Sequence, residues 1–210
     1  MCAAIHFDFQ AETHSQKKAR RIVERLRERC LDLAFLKVSE IVELSGDACD
    51  PHHDQPDADL RVLVEGAGRL VIASEGCDVV APEKIIAFSA WPANGRGVCN
   101  LGLALYPATV RWSGKTIRTG IRGWCWNSFC QTYFASKEKN GGIPNVLRCH
   151  LAVTKMLDYT AELGILQGVV DLAGYWEHRD IKRLEADLQH LPTWPADVGD
   201  GTGDADECYS

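Results

Sequence analysis

Residues 4–9 alternate, with Ile5, Phe7 and Phe9 on one face and His6 and Asp8 as the polar members of the other. This period of two predicts a half-buried strand. Over residues 16–33 the apolar side chains recur every three or four positions, which predicts an amphipathic helix. A further strand is predicted over residues 38–44, so the chain opens as strand, helix and strand.

The same order of elements returns in the last third of the chain. Residues 124–135 carry several aromatic side chains and no charge, which is typical of a central strand buried on both faces. A helix is predicted from about residue 144 to about 163, and a strand over residues 166–172. A last helix is predicted over about residues 177–191.

The middle of the chain, residues 59–120, is predicted to be rich in β-hairpins. Turns that contain glycine separate two pairs of short runs rich in β-branched and apolar residues. The runs of the first pair are residues 60–64 and 69–73, and those of the second are residues 109–112 and 115–118. Single strands are predicted over residues 84–90 and 101–106.

These elements predict one α+β domain over residues 1–192, with a mixed, largely antiparallel sheet and about three main helices. The two strand–helix–strand runs end alike, at residues 41–46 and 169–174. This likeness favours two ferredoxin-like βαβ halves, about residues 4–46 and 130–191, with the hairpins inserted between them. The alternative is that an α+β chain repeats this order of elements by chance.

Charge is unevenly distributed along the chain. The net charge of -6 argues against bulk nucleic-acid binding. Residues 17–29 nevertheless carry seven basic side chains against two acidic ones, so the helix over residues 16–33 is a candidate surface for nucleic acid or an acidic partner. Residues 193–210 are rich in Gly and Asp, and this acidic tail is predicted to be disordered.

The nine cysteines are odd in number and none is spaced as a CxxC pair. The first residues lack the basic-then-apolar pattern of a signal peptide. Reduced thiols in a cytoplasmic protein are therefore expected. No uncharged apolar run approaches the roughly 20 residues that a membrane span needs, so no membrane partner is expected.

The segment from Asp171 to Asp180 is the first candidate for chemistry, since it joins a predicted strand to a predicted helix. Backbone N–H groups at a helix start favour an anion, and Arg179 could hold a carboxylate or phosphate through two hydrogen bonds. Tyr175 and Trp176 could form an apolar wall, and Glu177 could move a proton. The alternative is an ordinary first turn of a helix.

His150 is the second candidate, because it falls on the apolar face of the helix over residues 144–163. It could act as a base, with Asp171 or Tyr133 as its hydrogen-bond partner. Arg148 lies on the opposite side of the helix and is a candidate ligand contact. The alternative for His150 is a buried histidine with a structural hydrogen bond.

A metal site is the least supported candidate. Cys49, His52 and His53 lie close together in a loop, but a fourth ligand would have to come from elsewhere. Cys125 and Cys130 fall on opposite faces of one continuous strand, so a shared ion or a disulfide is not expected unless a bulge intervenes. No motif for a known cofactor occurs.

We therefore expect a small cytoplasmic enzyme or ligand-binding domain that accepts a small anionic molecule. Its pocket would lie beside the strand over residues 124–135, near the start of the following helix and the turn at residues 175–180. The alternative is a nucleic-acid or acidic-partner binding module that uses the basic helix. A purely structural or regulatory partner protein is a third possibility, and the sequence predicts no oligomeric state.

Overall fold

The computed structural model describes residues 3–33, 35–52, 57–73, 76–95, 97–132 and 138–189. The strands are β1 (Ala4–Ala11), β2 (Lys37–Val38), β3 (Val42–Ser45), β4 (Arg69–Ala73), β5 (Gly76–Val80), β6 (Lys84–Trp91), β7 (Cys99–Leu105), β8 (Thr109–Trp112), β9 (Lys115–Arg118), β10 (Trp124–Gln131) and β11 (Leu166–Asp171). The helices are α1 (Gln16–Asp32), α2 (Ala58–Glu65), α3 (Gly142–Glu162), α4 (Tyr175–His178) and α5 (Ile181–Gln189).

One seven-stranded sheet carries the fold. Its strand order is β11, β1, β10, β7, β6 and β2, and β3 also pairs with β6. Every pairing between the described strands is antiparallel. The hairpins β4–β5 and β8–β9 form separate two-stranded sheets. The predicted α+β class with a largely antiparallel sheet is confirmed.

Two strand–helix–strand units are present, and they differ in width. Through α3, β10 leads to β11, and β1 lies between these two strands, which makes a split βαβ unit. Through α1, β1 leads to the β2–β3 segment, but here β10, β7 and β6 separate β1 from β3. The hairpin-rich middle of the chain thus widens the first half of the sheet.

The hydrophobic core lies between one face of this sheet and the helices α1 and α3. Phe7 and Phe9 of β1 and Trp124 and Trp126 of β10 are all at most 1% exposed. Replacing a buried aromatic residue of this kind by alanine typically costs about 3–5 kcal/mol. We refer to this side as the helix face and to the other side as the open face.

Helix α1 forms where its pattern predicts. The Ser15 side chain accepts a hydrogen bond from the backbone N–H of Lys18, which satisfies one of the free donors at the helix start. The helix then buries its apolar stripe against the sheet. The stripe consists of Ala19, Val23, Leu26 and Cys30.

The predicted hairpin between residues 60–64 and 69–73 is wrong. Residues 60–64 belong to α2, and β4 pairs with β5 instead. Asp57 caps α2, since its carboxylate accepts hydrogen bonds from the N–H groups of Asp59 and Leu60. Such a short apolar run fits helix or strand equally well, and the cap decides between them.

The expectation that the strand over residues 124–135 is buried on both faces is also wrong. Asn127 and Phe129 of β10 are exposed on the open face. By contrast, β7 up to Ala104 and the interior of β6 are buried throughout. The segment from α2 to β4 packs over that half of the sheet, since Tyr106 donates to the carbonyl of Ala67 and Arg69 reaches Asp8. Along β10 the cover ends after Trp126, since Asn127 and Phe129 are exposed.

The last predicted helix is interrupted. It divides into the single turn α4 and the longer α5, because Arg179 adopts a left-handed conformation with φ 55°. Asp180 then caps α5 by accepting from the N–H groups of Lys182 and Arg183. Similarly, the strand predicted over residues 38–44 is broken into β2 and β3. The tail over residues 193–210 lies outside the described residues.

In the described part of the chain, no helix combines the length and the apolar character that a membrane crossing requires.

Candidate functional site

The sequence candidates His150 and Asp171 lie together on the helix face. The Nε2 atom of His150 is 2.9 Å from Oδ2 of Asp171, and its Nδ1 atom is 3.1 Å from Oγ1 of Thr132. A carboxylate can only accept, so Nε2 carries the proton. The result is a hydrogen-bonded chain of Thr132, His150 and Asp171, which we call the buried triad.

The hydroxyl group of Thr132 has two acceptors within reach. Its Oγ1 atom is 3.1 Å from His150 Nδ1 and 3.1 Å from the carbonyl oxygen of Ala3. The single hydroxyl proton serves only one of them at a time. Nδ1 of His150 and the Ala3 carbonyl therefore compete for the Thr132 hydroxyl proton.

Asp171 also holds the segment that follows β11. Its two carboxylate oxygens accept hydrogen bonds from the N–H groups of Ala173, at 2.9 Å, and Trp176, at 2.8 Å. Burial raises the pKa of Asp171, but the hydrogen bonds from His150 and from these two N–H groups outweigh burial and leave the pKa below its ordinary value. The buried carboxylate is therefore fully satisfied and ionised.

Arg179 already has an anionic partner within the protein. Its guanidinium group binds both carboxylate oxygens of Asp158, at 3.0 and 2.8 Å, and stands 4.2 Å from the ring centre of Trp176. Asp158 belongs to α3. The anion contact predicted for Arg179 is thus occupied by a side chain that fastens α3 to the turn after α4.

The remaining sequence candidates are spread around this region. Tyr175 places its ring edge-on to His150, with the ring centres 6.0 Å apart. Glu177 is exposed on α4, and Arg148 is exposed on α3, where it donates to Asn145. Tyr133 lies outside the described residues.

The loop that contains the candidate metal ligands Cys49, His52 and His53 is only partly described. Cys49 is fully buried, and burial raises the pKa of its thiol to about 11. The carboxylate of Asp50 accepts from the backbone N–H of His52, and His53 lies outside the described residues. Within the described ranges, no three His, Cys, Asp or Glu side chains are arranged to hold a metal ion.

The basic helix α1 turns much of its charge toward partners inside the protein. Arg20 forms ion pairs with Glu24 and Glu43, and Arg27 pairs with Glu40 at 2.6 Å. Neighbouring carboxylates therefore neutralise part of the cationic face that the sequence predicts. A partly neutralised helix attracts polyanions less strongly than its count of basic residues indicates.

Two other arginines of the same helix surround Tyr159 of α3. Arg25 donates to the Tyr159 hydroxyl group at 3.2 Å, and the guanidinium carbon of Arg29 lies 5.5 Å from the ring centre. Such cation–π contacts contribute on the order of 0.5–1 kcal/mol at exposed sites. These arginines thus join α1 to α3.

A second group of polar side chains meets on the open face, where the cover from α2 and β4 ends. Arg69 of β4 places Nη1 3.1 Å from Asp8 Oδ1 on β1, and Asn127 of β10 donates to the same oxygen at 2.8 Å. Asp8 and Arg69 border a cleft with a volume of about 240 Å³. It is lined by Asp8, Phe9, Gln10, Arg69, Cys125, Gln167 and Gly168. We call it the Asp8–Arg69 cleft.

A β-bulge shapes one wall of the cleft. Asp8 pairs with Gly168 and Phe9 with Leu166, so Gln167 is the extra residue on β11. Bulges redirect a side chain and occur often beside functional sites. Gln10 lies across from it and donates to the carbonyl of Arg122. Two amide side chains and an ion pair thus surround one small opening.

Tyr106 and Cys125 lie beneath this ion pair. Burial raises the pKa of Tyr106 to about 12, although nearby Arg69 opposes part of that rise. Burial likewise raises the pKa of the Cys125 thiol, and Arg69 again opposes the change. Both groups are therefore neutral at pH 7, so the charge at the cleft comes from Asp8 and Arg69.

The sequence did not reveal this cleft as a site. Asp8 was visible as a polar residue on a strand, but its partner Arg69 is 61 residues away and lies in a segment predicted as a plain hairpin. The one available signal was the alternation in β1, which places His6, Asp8 and Gln10 on the face opposite the apolar core.

No family model, no curated protein and no solved structure matches this chain.

Proposed function

We propose that the protein is a ligand-binding domain that takes a small anionic molecule into the Asp8–Arg69 cleft beside β10. The observation that carries this proposal is the position of Arg69. Its guanidinium group stands at the cleft, its side chain is 23% exposed, and Asp8 holds it in place. A partly desolvated, fixed guanidinium group is well suited to bind a carboxylate or phosphate.

The ion pair leaves Arg69 with donors to spare. Nη1 donates to Asp8, whereas a guanidinium group has five N–H donors in a fixed planar arrangement. Gln10 and Gln167 add amide groups at the same opening. At about 240 Å³ the cleft is smaller than the roughly 300–1,000 Å³ that is typical of ligand sites, so it suits a small metabolite better than a large cofactor.

In this proposal the buried triad supports the fold and does not meet the ligand. The side chains of His150 and Asp171 are both 0% exposed. The carboxylate oxygens of Asp171 accept hydrogen bonds from His150 and from the backbone N–H groups of Ala173 and Trp176. We retain the cytoplasmic location that the unpaired cysteines favour, since the six described side chains, all buried, are free thiols.

The first experiment is a thermal-shift screen of the full chain against small carboxylates, phosphates and nucleotides. A ligand that binds only the folded protein raises Tm by mass action. We expect at least one small anion to raise Tm, and we expect Arg69→Ala to abolish that rise. The shift should survive at moderate salt because the guanidinium group is partly buried.

Arg179→Ala is the matched control, because it removes another arginine that is bound to an aspartate, but on the opposite side of the molecule. It should keep the ligand-induced rise in Tm. A rise that is lost in Arg179→Ala and kept in Arg69→Ala would move the site to the turn after β11. A rise caused only by polyanions and lost with salt would instead support the basic helix α1.

A further inference from the structure

An aromatic pair stands on the open face next to the cleft. His6 of β1 and Phe129 of β10 are direct cross-strand partners, with ring centres 5.4 Å apart and ring planes at 26°. Phe129 is 46% exposed, although it lies on a central strand. Val170 of β11, paired with His6, is 58% exposed beside them. The result is an apolar platform open to solvent.

The platform and the cleft form one continuous row of side chains. Asp8 and Asn127 occupy the next positions of the same face, about 7 Å further along the strands. Both Arg69 and Asn127 donate to Oδ1 of Asp8. Within the part of the chain that the structure describes, Oδ2 of Asp8 has no hydrogen-bond partner and can accept from a ligand. The order along the row is aromatic pair, carboxylate, guanidinium group.

This order matches the three parts of a nucleotide. A nucleobase stacks on an exposed aromatic ring, a carboxylate accepts hydrogen bonds from ribose hydroxyl groups, and a guanidinium group binds phosphate. Asp8 lies one pleat repeat from the aromatic pair and contacts Arg69 directly, at 3.1 Å, so the row offers a place for the base, then one for the sugar and then one for the phosphate. A simple carboxylate or sugar phosphate would leave the aromatic pair unused.

We propose that the ligand of the Asp8–Arg69 cleft is a free ribonucleoside monophosphate, with its base on Phe129 and His6, its ribose on Asp8 and its phosphate on Arg69. This inference rests on the proposed function and adds the class of ligand to it. A single nucleotide fits better than an RNA strand, because the row contains the carboxylate of Asp8 and the chain carries a net charge of -6.

The test is isothermal titration calorimetry of the full chain with AMP, CMP, GMP and UMP, and with ribose 5-phosphate, 2′-deoxyadenosine monophosphate and a short RNA. We expect at least one monophosphate to bind more tightly than ribose 5-phosphate. Phe129→Leu keeps an apolar side chain but removes the ring, so it should lower the affinity for that monophosphate by roughly tenfold or more.

Two further variants separate the parts of the row. Phe129→Tyr retains the ring and should keep the affinity. This variant therefore tests whether an effect of Phe129→Leu comes from loss of the ring or from any substitution at this position. Asp8→Asn should lower the affinity for the ribonucleotide more than the affinity for the deoxyribonucleotide, because the carboxylate is a better acceptor than the amide for a hydrogen bond from the ribose 2′-hydroxyl group. Phe129 is half exposed, so both Phe129 variants should melt near the wild-type Tm.

The outcomes distinguish the ligand class from the proposed function. If a small anion binds through Arg69 but ribose 5-phosphate matches every nucleotide, or Phe129→Leu changes nothing, the nucleotide class is wrong and the cleft remains a ligand site. If no small anion binds in a manner that Arg69→Ala abolishes, both proposals fail. Binding of RNA alone overturns the choice of a free nucleotide.

Discussion

At the scale of single residues, Asp171 connects three segments of the chain. It accepts from His150 on α3, from the N–H group of Ala173 in the turn after β11 and from that of Trp176 in α4. One carboxylate thereby joins the end of β11, the middle of α3 and the chain turn that follows. Its loss would leave buried donors without acceptors, and each such group typically costs about 1–3 kcal/mol.

Asp171→Asn should lower the free energy of unfolding at pH 7 by about 1–3 kcal/mol. The pKa of Asp171 is lower in the folded protein than in the unfolded chain. The stabilisation is therefore complete above the unfolded pKa and is lost as the pH falls through the folded pKa. Urea denaturation at pH 7 and at successively lower pH should show the difference between wild type and variant narrowing below about pH 4.

Asp158→Asn is a suitable control for that series, because Asp158 pairs with Arg179 at the surface. Exposed pairs contribute only about 0–1 kcal/mol. A constant difference between wild type and Asp171→Asn at every pH would contradict the role of the ionised carboxylate.

The hydrogen-bond partner of a residue was predictable only where the spacing within one element, or the order of two successive elements, determines it. The helical spacing of α3 places His150 on its apolar face, and Asp171 was named as a partner because β11 follows α3 directly. Thr132 was not foreseen, since a threonine at a strand end has no distinctive pattern. The ion pair of Asp8 with Arg69 depends on how α2 and β4 fold back over the sheet, which local patterns do not contain.

At the scale of elements, β6 and β7 show how closely the covered half of the sheet is packed. A Cβ atom placed on Gly102 of β7 would lie 2.6 Å from the carbonyl oxygen of Ile86 and closer still to the Cβ atom of Ala87. Backbone atoms of a central strand cannot move aside cheaply. A Cβ atom on Gly168 of β11 would meet nothing within 4 Å.

Gly102→Ala should therefore destabilise the protein by about 1–3 kcal/mol through overpacking. Gly168→Ala makes the same change in an open strand and should be neutral or stabilising by up to about 1 kcal/mol, because alanine loses less backbone entropy. Chemical denaturation of both variants measures the contrast. Equal effects at the two positions would show that the close approach at Gly102 is relieved by a shift of the strands.

Long periodic elements were predicted well, and short ones were not. The repeat of apolar residues in α1 and α3 extends over several turns, so the pattern leaves one interpretation. Helix α2 has eight residues, and an apolar run of that length fits either state until the cap at Asp57 is considered. The break at Arg179 was hidden because the apolar spacing of α5 continues past it.

At the scale of the whole molecule, buried thiols are distributed throughout the core. Cys30 lies in α1, Cys99 in β7 and Cys149 in α3, and each is at most 2% exposed. Cys130 of β10 is 0% exposed. Burial raises the pKa of Cys30 far above that of a free thiol, and the neighbouring Cys130 thiol together with burial does the same for Cys149. Protonated, buried thiols react slowly.

A variant with Cys2, Cys77 and Cys208 replaced by serine retains the six cysteines whose side chains are described as buried. Iodoacetamide at pH 7 should then label the native protein only as fast as it unfolds, and intact mass should show molecules with either no label or six. In urea above the midpoint all six should react promptly. A native species with one or two rapid labels would indicate that part of the core opens by itself.

The architecture of the whole chain was predictable as a class but not as an arrangement. Strand periodicity and helix spacing indicate an α+β domain, and they say nothing about which strands are neighbours. The order of the sheet is set by contacts between distant segments, such as β1 with β10. The widening of the first half by β6 and β7 follows from the same distant contacts.

The position of β1 has a consequence for how the protein is made. Of the strands in the sheet β1 is synthesised first, yet its two neighbours are β10 and β11, which end at residues 131 and 171. Synthesis of the intervening chain takes roughly 10–30 s at 5–20 residues per second. Throughout that time Ile5, Phe7 and Phe9 have no partner strand. Until the last strand has been synthesised, the nascent chain therefore depends on chaperones or on its basic first helix to stay in solution.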